Sequence, residues 1–133
     1  LFQKLSNGPT VPMLSGDSES EVRASKMYSN SFNNLSDERL KTFENDIDVN
    51  FEQLKSIPKK YFKWKNNDNK TEIGTSAQKI QEIYPEIVAD DGSEDKILSV
   101  DYTKLSIVAL AAIDKLYDKI NEQQKLIDEL MKK

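Results

Sequence analysis

The sequence predicts an α+β fold: a small domain of helices and short strands, preceded by an extended or β segment and closed by a long C-terminal helix. Three observations carry that prediction. Chain breakers and small polar residues crowd the first 35 residues. Short aromatic and β-branched runs then alternate with short helical ones. From Thr103 to Lys133 there is no glycine or proline. The chain therefore divides into residues 1–35, an extended or β segment linked to something upstream; 36–102, the folded domain; and 103–133, a helix suited to oligomerisation.

In the first segment Gly8, Pro9, Pro12 and Gly16 interrupt the chain, and Ser29, Asn30, Ser31, Asn33 and Asn34 favour loops. Strands and loops are expected, with an extended stretch around Val22 to Phe32. A helical pattern follows. Leu40, Phe43, Ile47, Phe51 and Leu54 recur at spacings of three and four and would form one apolar stripe. Ser36 suits the N-cap, Asp37 and Glu38 suit the positive end of the helix dipole, and Pro58 closes the element.

Tyr61 to Lys65 alternates aromatics with lysines, as a half-buried strand does, and Phe51, Phe62 and Trp64 are expected in the core. Asn66-Asn67-Asp68-Asn69 reads as the turn and Thr71 to Thr75 as the returning strand. A short helix carries Ala77, Ile80 and Ile83 and stops at Pro85. Ile87-Val88 and Ile97 to Tyr102 read as short strands flanking an Asp90-Asp91-Gly92 turn. In the final helix Ile113, Leu116, Ile120, Gln123, Ile127 and Leu130 form the seam of a coiled coil or bundle. Packing of this helix on its own domain is the alternative. Ile followed by Leu along the seam favours two strands, and the polar Gln123 weakens that preference.

Composition narrows the chemistry. Of 133 residues only 37% are hydrophobic and 32% are charged, which suits a small core or a fold completed by partner chains. A net charge of −4 offers no footprint for nucleic acid. The apolar stretch around Ile107 to Ile113 is too short to span a bilayer, and no signal peptide is visible at the start. The absence of cysteine removes disulfides and thiolate chemistry, and the absence of histidine removes the serine–histidine mechanism. Nucleophilic catalysis would need Ser or Thr with a Lys or carboxylate base. No metal or cofactor is called for. The acidic turn of Asp90, Asp91, Glu94 and Asp95 departs from an EF-hand and reads as a solvated hairpin tip. Tyr61, Phe62 and Trp64 among lysines could stack on bases, but in an acidic chain they read as core aromatics. Asp46 and Asp48 have no acidic partner that the sequence places opposite them.

Ser36-Asp37-Glu38-Arg39-Leu40-Lys41 sets a hydroxyl five residues before an amine. On a regular helix the two would point about 140° apart. Placing Ser36 outside the helix frees its direction and lets the lysine stem reach back. Such a pair needs a neutral amine, favoured by desolvation or a nearby cation such as Arg39 or a charge from another subunit. On spacing alone the bland reading stands beside this one: Ser36 as a plain N-cap and Lys41 as a solvated charge.

The same six residues resemble the opening motif of the endosialidase-type intramolecular chaperones, a family of self-cleaving peptidases. Tyr61 to Lys65 resembles the family's aromatic and basic strand. Ile73-Gly74-Thr75-Ser76-Ala77-Gln78, continuing to Tyr84-Pro85-Glu86-Ile87-Val88, resembles its glycine, alanine-glutamine and proline-valine signature. Ser99-Val100-Asp101-Tyr102 and the final helix resemble its ending. The likeness runs from Ser36 to Lys133. Thr75 and Ser76 stand where the family usually has aliphatic residues, and Thr42 to Asp48 is atypical.

The resemblance implies a homotrimeric module at the end of a phage tail fibre or tailspike. It would fold the β-rich stalk of its own chain in the host cytoplasm during assembly, then release itself, leaving the fibre in the virion tail. Ser36 would be the nucleophile, Lys41 its base and Leu35–Ser36 the scissile bond. Processing before Leu1 instead would leave Ser36 within the released piece. A non-enzymatic trimerisation or attachment module, with Ser36 only a cap, is the alternative. A third reading is an adaptor whose terminal helix recruits a partner.

Overall fold

The computed structural model describes residues 2–4, 10–12, 24 and 26–133, with backbone alone at 2–4, 10–12 and 68. It divides into two compact units, residues 1–42 and 43–133. In the first, β1 (Phe2–Lys4) and β2 (Thr10–Pro12) pair antiparallel, with Phe2 opposite Pro12. The expected breakers Gly8, Pro9 and Gly16 lie outside the described residues, as do Val22, Arg23 and Ser25 of the expected extended stretch. The described part of that stretch, residues 24 and 26–32, forms no strand. The Ser29 hydroxyl donates to the Ser31 carbonyl at 2.6 Å and bends the chain locally.

The helix expected from Ser36 to Leu54 does not form. In its place stand one 3₁₀ turn, Glu38–Leu40, a non-helical stretch over 41–50, and the short α1 (Phe51–Ser56). The first part of the apolar stripe finds nothing to bury against: Leu40 is 70% and Phe43 74% exposed. A helix draws most of its stability from a packed face, and this one has none. Asn45, Asp46, Asp48 and Asn50 also favour local bonds to the backbone over helix continuation. Asn50 does so, its side-chain oxygen accepting from the Gln53 amide at 3.1 Å to start α1. At the other end Ile57 turns to an extended conformation ahead of Pro58, the stop the sequence predicts.

β3 (Lys60–Trp64) and β4 (Asn67–Gly74) form an antiparallel hairpin. Trp64 pairs with Asn67, so the turn is Lys65–Asn66 and the return begins before the expected Thr71. Phe62 is half-buried and meets Trp64 edge to face, centroids 5.2 Å apart. Trp64 is 56% exposed and lies outside the core cluster, which corrects the expectation of its burial. Phe51 is half-buried, with the Lys115 and Lys119 ammonium groups 5.4 and 5.5 Å from its ring centre.

The next elements follow the sequence reading, except that the strand expected over Ile97 to Tyr102 is confined to Leu98–Val100 and Tyr102 opens the final helix. Ser76 caps α2 (Ala77–Gln81), a 3₁₀ turn spans Pro85–Ile87, and β5 (Val88–Asp90) pairs antiparallel with β6 (Leu98–Val100). Gly92, at φ +72, holds a left-handed conformation at the tip of that hairpin. Asp101 caps α3 (Tyr102–Met131), accepting from the amides of Thr103 and Lys104 at 3.0 and 3.3 Å. Ile57, Ile80, Ile87 and Val108 make the core, with Leu54, Ile83, Tyr84, Val88, Val100 and Leu105 packed round it. The architecture is α+β, helices and short antiparallel strands with a long terminal helix.

Two side-chain bonds hold the stretch before α1 to this body. The Tyr84 hydroxyl donates to the Asp48 carbonyl at 3.0 Å, and Lys115 donates to the carbonyl of the buried Val49. Burial first, and the Asp48 charge second, push the Tyr84 hydroxyl above the ordinary phenol range.

Candidate functional site

Asp37 starts the 3₁₀ turn with an extended backbone, and its carboxylate accepts from the Arg39 amide at 2.9 Å. Asp37 is therefore the cap, and the N-cap expected at Ser36 is corrected by one residue. Backbone bonds from Leu40 to Asp37 and from Lys41 to Glu38, both 3.1 Å, close the turn. Ser36 is left just outside it and Lys41 ends it in an extended conformation. The chain doubles back over five residues, and Lys41 Nζ donates to Ser36 Oγ at 2.6 Å. A continuous α-helix would have set the two about 140° apart. Ser36 stands outside the turn, as the sequence reading required for the hydroxyl and the amine to meet.

Arg39 is engaged elsewhere. Its Nε and Nη2 grip Asp37 at 3.0 and 2.6 Å. That side-chain pairing, then the Arg39 amide bond, holds the Asp37 carboxyl below the ordinary carboxylate range, and the pairing alone raises the Arg39 guanidinium. Arg39 thus stiffens the turn, its charge paired with that of Asp37. Ser36, Lys41 and Leu35 are all exposed.

The remaining candidates take other roles. Ile113, Leu116, Ile120, Gln123, Ile127 and Leu130 all lie exposed along α3. Asp91 accepts from the amides of Ser93 and Ile97 at 3.0 and 3.1 Å, and Asp90 from the Gly92 amide at 2.9 Å. These two carboxylates shape the hairpin tip. No group of three or more residues able to hold a metal occurs among the described residues. Nor is any helix there long and apolar enough to cross a membrane. Sequence spacing missed the Asp37–Arg39 grip, although an Asp two residues before an Arg at a loop-to-helix junction was its available signal.

Residues 36–89 match the family model described as the chaperone of endosialidase. The match opens on Ser36, takes in both hairpin β3–β4 and helix α2, and ends at Ala89 in β5. Over this segment the chain is similar to the endosialidase-type chaperone domain. No curated protein and no solved structure matches the chain.

Proposed function

We propose that the chain is an intramolecular chaperone that trimerises and folds the stalk of an upstream phage tail fibre or tailspike, then frees itself by one self-cleavage. The observation that carries the chemistry is the 2.6 Å bond between Lys41 Nζ and Ser36 Oγ. It falls at the first residue of the segment that matches the chaperone family.

Lys41 accepts the Ser36 hydroxyl proton as Oγ attacks the Leu35 carbonyl carbon. The Leu35–Ser36 peptide bond breaks, an ester to Oγ forms, and the proton passes to the departing Ser36 amine. Water then hydrolyses the ester, leaving a Leu35 carboxylate and restoring the hydroxyl. The reaction occurs once, on its own chain, and needs no cofactor. A lysine amine is a base only while neutral, and enclosure favours that form. With both groups exposed in the single chain, trimerisation supplies the enclosure, so cleavage follows assembly. The domain acts in the host cytoplasm and the released fibre enters the virion tail.

A β-rich stalk has non-local contacts and folds slowly with exposed edges. Holding three chain ends together raises the effective concentration of the strands that must pair. Removing the chaperone afterwards leaves the stalk kinetically trapped.

The test is intact mass of the chain, and of a precursor with fibre sequence ahead of Leu1, beside two variants. The unchanged chain is expected to give fragments ending at Leu35 and beginning at Ser36. Ser36→Ala should abolish the cut and leave the oligomer whole. Lys41→Arg should abolish it too, since arginine stays protonated. Undiminished cleavage in Lys41→Arg would remove the pair from consideration. Folded, assembled and uncut wild-type chain would leave the non-enzymatic module.

A further inference from the structure

The whole-chain charge of −4 averages over an uneven distribution. Residues 55–70 hold six of the chain's 19 basic residues, all of them lysine, and one of its 23 acidic ones, Asp68. Lys60 and Lys63 lie in β3, Lys65 in the turn and Lys70 in β4, and each is exposed. Lys70 stands 3.4 Å from Glu72. Lys60, Lys63 and Lys65 have no acidic partner among the described side chains.

The rings between these lysines are open to water. Tyr61 is 77% and Trp64 56% exposed, so the burial that would have withheld them from a ligand is absent at both. Phe62 is the one partly buried residue of β3, and it braces Trp64 edge to face. Side chains alternate along a strand, so Tyr61 and Lys63 occupy one face of the ribbon and Lys60, Phe62 and Trp64 the other. From Lys63 to Thr71 every described side chain is exposed, and β3 and β4 pair with no third strand among the described residues.

Exposed rings interleaved with unpaired ammonium groups suit a ligand that has flat apolar faces and repeated negative charges. A single-stranded nucleic acid has both. Its bases stack on aromatic side chains whatever their sequence, and its phosphates pair with lysines. A duplex keeps its bases stacked on one another, and a bilayer surface meets only one face of a ribbon. An acidic polypeptide would engage the lysines and leave the rings idle. A flexible strand can pass round a two-stranded ribbon and use both faces.

We propose that the β3–β4 hairpin binds single-stranded nucleic acid, taking bases on Tyr61 and Trp64 and phosphates on Lys60, Lys63 and Lys65. None of these residues takes part in the proposed self-cleavage, so the two readings stand or fall separately.

Trp64 is the chain's one tryptophan, so its fluorescence reports the contact directly. The full chain is titrated with labelled oligothymidylate, reading Trp64 quenching and the anisotropy of the label across a salt series. Quenching is expected, with a slope of log K against log salt of about −2, since each of three lysines releases about 0.7 of a counterion. Trp64→Ala should bind at least about fivefold more weakly, while Trp64→Phe, which keeps a ring, should bind more tightly than Trp64→Ala. Lys63→Glu combined with Lys65→Glu should abolish binding, whereas Lys132→Glu combined with Lys133→Glu, the same charge change at the far end of α3, should not. Circular dichroism establishes that each variant is folded. Absence of quenching at low salt, or equal affinity in folded Trp64→Ala, overturns the proposal. So does equal competition by polyglutamate, which would reduce the hairpin to a charged patch, or binding to phosphatidylserine vesicles in place of the oligonucleotide.

Discussion

The hydroxyl of Ser36 is set by its neighbours rather than by a helix. Asp37 caps the turn and Arg39 grips Asp37, so two adjacent charges build the loop that returns Lys41 to Ser36. Because the cap is Asp37, Ser36→Ala should change thermal stability by no more than about 0.5 kcal/mol, the usual range for a surface change. A plain cap at Ser36 would instead have cost roughly 1 kcal/mol. Asp37→Ala should slow self-cleavage while Glu38→Ala leaves it unchanged, as followed by intact mass over time; equal rates would detach the grip from the chemistry. The sign with pH follows from Arg39 lowering the Asp37 carboxyl. The contribution of Asp37 to the turn is present above the ordinary carboxylate value of about 3.9. It is lost as pH falls through the lowered folded value, so between pH 5 and 8 the turn should be constant.

At the scale of elements, Gly74 closes β4 against Phe62. A Cβ at Gly74 would lie 2.8 Å from a ring carbon of Phe62, which itself packs on Trp64. Gly74→Ala should destabilise the domain by about 1–3 kcal/mol in urea unfolding, as overpacking does. Trp64 sits half in water, so Trp64→Ala should cost about 1 kcal/mol, near the value of an aromatic pair, well short of a core deletion. The stops ahead of Pro58 and Pro85 were legible from the sequence, as was the final helix free of glycine and proline; the caps at Ser76 and Asp101 were not. The stripe from Leu40 to Leu54 misled because spacing reports what could share a face, not whether a surface exists to cover it. Trp64 misled likewise, since alternation marks a face of β3 and only Phe62 on it is partly buried. The Ser36–Lys41 pair was legible as residue types. The reach of Lys41 back to a Ser36 outside the helix was legible too, whereas the 3₁₀ turn capped by Asp37 was not.

At the scale of the whole molecule, α3 is the outlier. Five residues form the buried apolar set among those described: Val49, Ile57, Ile80, Ile87 and Val108. Ile113, Leu116, Ile120, Ile127 and Leu130 stand exposed along one helix beyond them. An apolar stripe of that length on a single chain supports the association proposed above. A helix with no packed face along its far half would also fray at its end. The proposed trimer answers both, and it makes stability depend on concentration. The melting temperature should rise with protein concentration in the unmodified chain. Ile120→Asp or Ile127→Asp should abolish that dependence and yield a smaller species in sedimentation, because a buried charge at the seam lacks a partner. The matched segment should survive in these variants, its hairpins resting on Ile57, Ile80 and Ile87. Self-cleavage should fall with the loss of assembly, since the enclosure of Ser36 and Lys41 is attributed to neighbouring copies. Full-rate cleavage by an Ile120→Asp monomer would separate the two halves of the proposal, leaving a peptidase whose chemistry needs one chain alone.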